Sequence, residues 1–198
     1  DLGWETGTPS RIMGSDKAKK GGRFTMRFSE FPVSLRTYGK DSNYAVITMM
    51  SNNVYESLIT IDSETLELQP MICSHWKISE DFKTFQLRID PNSRWADGKR
   101  VTTADIIATY NLLIDETILQ PYYNVVFGKY EKPKLISEYI IEVTSKEVHF
   151  MNIIDFAWGM SLLPAHYLEG LTGTEYLEKF HFEMMPGTGP YTLEKEKI

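Results

Sequence analysis

Residue types able to do chemistry are present in this 198-residue chain, but their spacing does not assemble them. The four histidines (His75, His149, His166 and His181) are scattered, and no two stand at the i, i+4 interval that would put a metal-binding pair on one helix face. There is no G-x-S-x-G nucleophile elbow and no G-x-x-x-x-G-K-[ST] phosphate loop. Gly187-Thr188-Gly189 opens like a dinucleotide fingerprint, yet Pro190 follows at once and denies it a helix N-terminus with free amides, so the segment reads as a turn. Asp90-x-Asn92 begins like a calcium loop, but Arg94 occupies the third ligand position and the glycine and closing glutamate are missing. No catalytic residue, metal ligand set or cofactor is assigned.

Single residues have structural readings that compete with functional ones. Glu56, in Val54-Tyr55-Glu56-Ser57-Leu58, could orient a ligand amine or be a partly buried carboxylate bonded to backbone. Trp76 and Trp95 flank an alternating segment, where packing competes with ligand stacking. Cys73 is the single cysteine, so no internal disulfide can form, and its apolar neighbour Ile72 suits a buried thiol.

The elements that must position these residues follow from periodicity. Phe24–Phe28 alternates like a strand, and Glu30–Asn43, with Pro32, Gly39 and Asp41-Ser42-Asn43, reads as a long loop of the kind that carries function. Ala45–Leu58 places Ile47, Met50, Val54 and Leu58 at helical spacing. A short hairpin follows over Ile59–Asp62 and Leu66–Leu68, then an irregular stretch over Pro70–Trp76. Lys83–Asp90 alternates cleanly, with Phe85, Leu87 and Ile89 on one face. Asp97-Gly98 is a turn signal, and Thr102 with Asp105 resembles a capping box, so Thr102–Ile114 should be a helix buried through Ile106, Tyr110 and Leu113, with Ile107 and Ile114 widening the stripe. Tyr139, Ile141 and Val143 mark another strand, and Phe150–Trp158 fits either type of element. Thr174–Phe180 reads as a short helix, and Tyr191-Thr192-Leu193 as the start of a last strand. Strands and hairpins interleaved with helices point to an α/β or α+β architecture with mixed sheets.

The totals narrow the function classes. A net charge of −6 argues against nucleic acid, whose phosphates need clustered Lys and Arg. No apolar run approaches the ~20 residues of a membrane span. No signal peptide is visible at Asp1, so either a mature chain has lost one or the protein is cytoplasmic.

Six motifs occur in order: Val54-Tyr55-Glu56-Ser57-Leu58, Pro70 with Trp76, Thr84-Phe85-Gln86-Leu87-Arg88, the Trp95–Asp105 segment, Leu163-Pro164-Ala165-His166, and Gly187-Thr188-Gly189-Pro190-Tyr191. Together they resemble the extracellular solute-binding proteins of the oligopeptide and dipeptide class (family 5), which serve ABC importers. Arg36–Asn43, Asp90–Trp95 and Pro121–Asn124 look most like the branch that handles murein peptides and peptide antibiotics. The resemblance implies a class II periplasmic-binding-protein fold: an α/β receptor of two lobes that close over a solute. Residues 1–20 would then be a flexible arm, 21–55 the start of lobe I, 56–185 its extra subdomain, and 186–198 the return strand, with the second lobe absent.

It further implies a monomeric, periplasmic or lipid-anchored, non-enzymatic protein that hands short peptides or peptide-like solutes to a permease in the inner membrane. In peptide-binding relatives the segment matching Ser42-Asn43-Tyr44-Ala45 pairs its main chain with the ligand, as an added strand would. Relatives often carry an acidic residue there to meet the peptide amine, whereas this chain has Asn43. Tyr122, after Pro121 in an expected loop, matches an aromatic that approaches the ligand, and loop packing is the competing reading. A sensor or hydrolase built on the same scaffold is the alternative function.

Overall fold

Strands joined by short turns can pair only antiparallel, and that constraint shapes both sheets of the protein. The computed structural model describes residues 3–7, 15, 17, 19, 21–23, 25 and 27–193. Helix α1 (Ala45–Val54) leads into a two-stranded hairpin, β1 (Ile59–Ile61) with β2 (Leu68–Pro70). Strands β3 (Cys73–Ile78) and β4 (Thr84–Ile89) form a second hairpin, and β5 (Lys134–Ser137) with β6 (Ile140–Thr144) a third. The last two hairpins join in one four-stranded sheet of order β3-β4-β6-β5. Every named ladder is antiparallel, so the parallel pairing expected within mixed sheets is not found among them.

Two further helices lie between the second and third hairpins in sequence, and three follow the third. They are α2 (Thr103–Ile114), α3 (Pro121–Gly128), α4 (Asn152–Ala157), α5 (Ala165–Leu168) and α6 (Gly173–Lys179), with one 3-10 turn at Glu116–Ile118. Phe85 and Leu87 of β4 and Ile141 and Val143 of β6 turn one sheet face into the core. The ring of Phe156 on α4 sits against four others, Phe85, Tyr110, Phe127 and Tyr130, at centroid distances of 5.1–6.3 Å. Burying such a group contributes about 2 kcal/mol or more per ring from area alone. The hydroxyls keep partners as they go under: Tyr130 donates to Asn152 O (2.8 Å) and Tyr110 to Tyr130 O (3.1 Å).

The helix-start signal at Thr102 and Asp105 is realised. One Asp105 carboxylate oxygen accepts from the Thr102 N–H (2.7 Å), and the other accepts from the Ala165 N–H at the start of α5 (2.7 Å). Ile106, Tyr110 and Leu113 are buried as the spacing predicts, but Ile114 is exposed because the helix ends there.

Several sequence expectations are corrected. The stretch Pro70–Trp76 is not irregular: it ends β2 and forms most of β3, in which the 3-residue and 6-residue strands are too short for a periodic signal. Helix α1 stops at Val54 rather than Leu58, because Tyr55 turns extended (φ −113°, ψ 147°) and Leu58 bonds Ala157 instead. The strand Lys134–Ser137 was not anticipated, being an edge with all four residues exposed and no alternation to read. Phe150–Trp158 resolves as helix over Asn152–Ala157. Phe24 and Met26 of the expected first strand lie outside the described residues. Within the expected arm, Glu5 exchanges two main-chain bonds with Trp76 (2.8 and 3.0 Å).

The segment Pro186–Pro190 straps across the C-terminal end of α1. Gly189 N–H donates to Val54 O (2.9 Å), Tyr191 N–H to Asn53 O (3.2 Å), and Ala96 N–H to Gly187 O (2.9 Å). Residues 191–193 carry no strand, the Tyr191 N–H being drawn onto α1, and 194–198 lie outside the described residues. A Cβ on Gly187 would land on the Val54 carbonyl oxygen, and one on Gly189 would stand 2.7 Å from Asn53 O. Gly187→Ala should therefore cost about 2–3 kcal/mol in urea unfolding, from displaced backbone rather than lost contact. Cys73 is fully buried, and burial raises its thiol pKa far above the ordinary range. An aromatic disulfide reagent at mildly alkaline pH should leave the native protein unlabelled and react with one thiol per chain in denaturant.

Candidate ligand-binding site

The long loop before α1 is held by its own buried cation. Arg36 is 4% exposed, and its guanidinium donates to Leu177 O (2.7 Å) and Lys40 O (2.6 Å) and bonds His181 Nδ1 (2.7 Å). Among the described residues no carboxylate shares those bonds, and burial pulls the Arg36 pKa down against the opposing pull of Tyr176 and Asp41. The loop thus closes on carbonyls of its own backbone and of α6. Its path requires left-handed backbone at Gly39 (φ 91°) and Asp41 (φ 62°). A Cβ at Gly39 would also meet Leu177 and the Ile118 carbonyl, so glycine is needed there twice over.

The opposite side of the loop rests on the segment leading into α3. Lys40 N–H donates to Ile118 O (2.7 Å), and Gly39 N–H to Gln120 Oε1 (2.6 Å). Tyr38, buried, meets Tyr123 edge-on at 4.9 Å and donates its hydroxyl to Ser161 O (2.8 Å). Tyr123 in turn meets Tyr122 at 5.2 Å. The two segments singled out from sequence, Ser42–Ala45 and Tyr122, are therefore joined through the loop before α1 and the residues that lead into α3. Tyr122 does not lie in a loop as expected: Pro121 opens α3, its missing N–H costing nothing at a first helical position. The Tyr122 side chain is 68% exposed.

The four residues of the main-chain segment differ in what they can offer. Ser42 is buried, its N–H bonded to Gly39 O (3.2 Å) and its hydroxyl without a partner. Tyr44 is extended (φ −117°, ψ 143°) and uses both its main-chain groups, donating to Ser42 O (3.0 Å) and accepting from Thr48 N–H (3.0 Å). Asn43 and Ala45 are exposed, and Asn43 alone of the four has neither main-chain group bonded among the described residues. A ligand strand could pair with one residue there, not with a run.

The other residues weighed from sequence sit elsewhere. Glu56 lies beside Thr188, and burial raises its carboxyl pKa despite the hydroxyl of Thr188. Trp76 and Trp95 are buried in the core. His166 Nε2 meets Asp97 at 2.7 Å, joining two of the six motifs. Burial pushes the Asp97 pKa up, but the Lys99 N–H and His166 outweigh it and hold it below the usual value. Gln120, which ties the two candidate segments together, and the anchoring role of Arg36 within the loop before α1 were missed. Proline at 121 and the glycine at 39 were the available signals, the first for a helix start and the second for a positive φ.

The model of the bacterial extracellular solute-binding proteins, family 5, matches residues 67–197, more than half of the chain. The protein belongs to that family. The dipeptide-binding protein of Escherichia coli is 26% identical over 165 residues, covering 72% of this chain and 30% of that one. The fold is similar to the Bacillus subtilis oligopeptide-binding protein AppA, solved with a nonapeptide, at TM-score 0.63 and 20% identity over 77% of this chain and 30% of AppA. It is equally similar to NikZ of Campylobacter jejuni, solved with Ni(L-His), at TM-score 0.63 and 20% identity over 82% of this chain and 31% of NikZ. The chain spans less than a third of each of these proteins. The family relationship accounts for the α/β architecture.

The geometry separates two tyrosines that the sequence does not. Tyr38→Phe removes the partner of Ser161 O inside the core and should lower unfolding free energy by about 1–2 kcal/mol. Tyr122→Ala should change it by less than about 0.5 kcal/mol, since the ring is mostly in solvent. Urea titration followed by circular dichroism measures both.

Proposed function

We propose that the protein is the substrate-binding component of an ABC importer, holding short peptides or peptide-like solutes between two lobes and delivering them to a membrane permease. The family match over residues 67–197 carries this reading. The local geometry supports it: Asn43, exposed and with its main chain unbonded among the described residues, and the exposed Tyr122 ring in the first turn of α3 stand on segments bonded to one another. An extended ligand bonded through its own main chain is accepted whatever its side chains, and an aromatic wall adds contact at little entropic cost. Asn43 brings no charge to a peptide amine, so that charge would be met from the other lobe. The murein-peptide branch is the narrower reading, resting on the Arg36–Asn43 and Pro121–Asn124 segments.

The domain division proposed is the start of lobe I over 21–55, the extra subdomain over 56–185 and the return to lobe I from 186. A groove of about 580 Å³ supports it. Phe31, Leu35, Val54, Tyr167, Phe182 and Met184 line it, and Phe31 and Phe182 are more than half exposed although their rings meet at 6.3 Å. Apolar surface of that kind marks an interaction face, and the remainder of a two-lobed receptor is the occupant proposed. No helix among the described residues is long and apolar enough to cross a membrane. A periplasmic or lipid-anchored position is proposed on the family relationship.

Isothermal titration of the full-length protein with a panel of di- to nonapeptides, murein peptides and sugars tests the reading. At least one peptide should bind with a Kd in the micromolar range or below, and Tyr122→Ala should weaken it about tenfold, the worth of a stacked aromatic. Silence across the whole panel, or binding of sugars alone, would sink it.

A further inference from the structure

The two candidate ligand segments are joined by one side chain. Gln120 Oε1 accepts the Gly39 N–H at 2.6 Å across 81 residues of sequence. That bond fixes which way the amide faces, because only the oxygen can accept. The Nε2 atom has no bond among the described residues and is not one of the buried unpartnered atoms, so the bond to Gly39 is the one hydrogen bond of this side chain among them. On either side a non-glycine residue holds left-handed backbone: Asp41 (φ 62°) on one loop, and Leu119 (φ 56°), which precedes Gln120, on the other. Left-handed backbone at a non-glycine residue persists only where surrounding contacts over-determine it, and such residues gather at binding sites.

From Gln120 the path to each ligand segment is short. Gly39 O accepts from the Ser42 N–H (3.2 Å), and Ser42 precedes the unbonded main chain of Asn43. On the other side only Pro121 separates Gln120 from Tyr122. We propose that Gln120 is a positioning residue, setting the distance between the Asn43 main chain and the Tyr122 ring and so the fit of an extended peptide between them. This rests on the peptide-binding reading above. A loop already held in its bound geometry loses less freedom on binding, and the gain appears as affinity with no added contact.

Full-length protein carrying Gln120→Ala, Gln120→Leu or Gln120→Glu, titrated with trialanine, tests the role. Alanine and leucine abolish the acceptor and should raise Kd roughly five- to tenfold, the range of one hydrogen bond. Glutamate keeps an acceptor for the Gly39 N–H and should bind within roughly twofold of wild type. Hydrogen exchange at the Gly39 amide should quicken with alanine and leucine and stay slow with glutamate; alanine and leucine should lower the melting temperature by only a few degrees, the loss of one buried bond, with native circular dichroism kept by all three. Wild-type affinity in Gln120→Ala overturns the inference, as does equal loss in Gln120→Glu, which would mean that the side chain touches the ligand itself. Absence of wild-type binding to trialanine and to every other peptide of the panel defeats the peptide reading, and this inference with it.

Discussion

A carboxylate taken out of water must find donors for both oxygens, and Asp105 finds them on two separate elements. Its partners are the Thr102 N–H, at the start of its own helix, and the Ala165 N–H, 60 residues on. Burial raises its pKa against those bonds, which shows that desolvation outweighs them. Neither oxygen can be surrendered without leaving a backbone donor unpaired in the interior. The start of α2 and the start of α5 are therefore fixed to one point, and Thr109, which bonds Leu163 on the next turn, repeats the tie. The turn at Asp97, the ring cluster around Phe156 and the strap over α1 are all placed relative to that joint.

The parts of the fold legible in the sequence are those whose signal is local. The Asp105 cap is a three-residue spacing, and the inward face of β4 is a clean alternation of Phe85, Leu87 and Ile89. The parts that were not legible owe their conformation to distant partners. β3 is a strand because β4 covers it, and Cys73 to Ile78 carries a register shift that erases any alternation. α1 ends at Val54 because the chain from Tyr55 onward is drawn to Ala157 and Leu162. At the candidate site, family resemblance picked out Ser42–Ala45 and Tyr122, but the internal bonds of Ser42 and Tyr44 were invisible. So was Gln120, whose role exists only once two loops meet.

Family membership and local geometry answer different questions. The match over residues 67–197 accounts for the scaffold, and relatives of the same scaffold were solved with cargoes as unlike as a nonapeptide and a nickel–histidine complex. The loop before α1 holds a cation by carbonyls rather than a carboxylate, an arrangement that is costly to bury and intolerant of change.

The pairing of Glu5 with Trp76 has a consequence for behaviour in concentrated solution. β3 is an outer strand of the four-stranded sheet, and an outer strand with free main-chain groups is a template for joining a second molecule. Glu5 occupies both groups of Trp76, and Thr6 adds a bond to Ser74 O (2.7 Å), so the N-terminal residues cover that rim. The opposite rim, β5, has no such cover among the described residues and presents Leu135 and Ile136 to solvent beside Lys134. Trimming the first residues would leave the sheet open on both sides, and self-association through strand addition would then compete with folding.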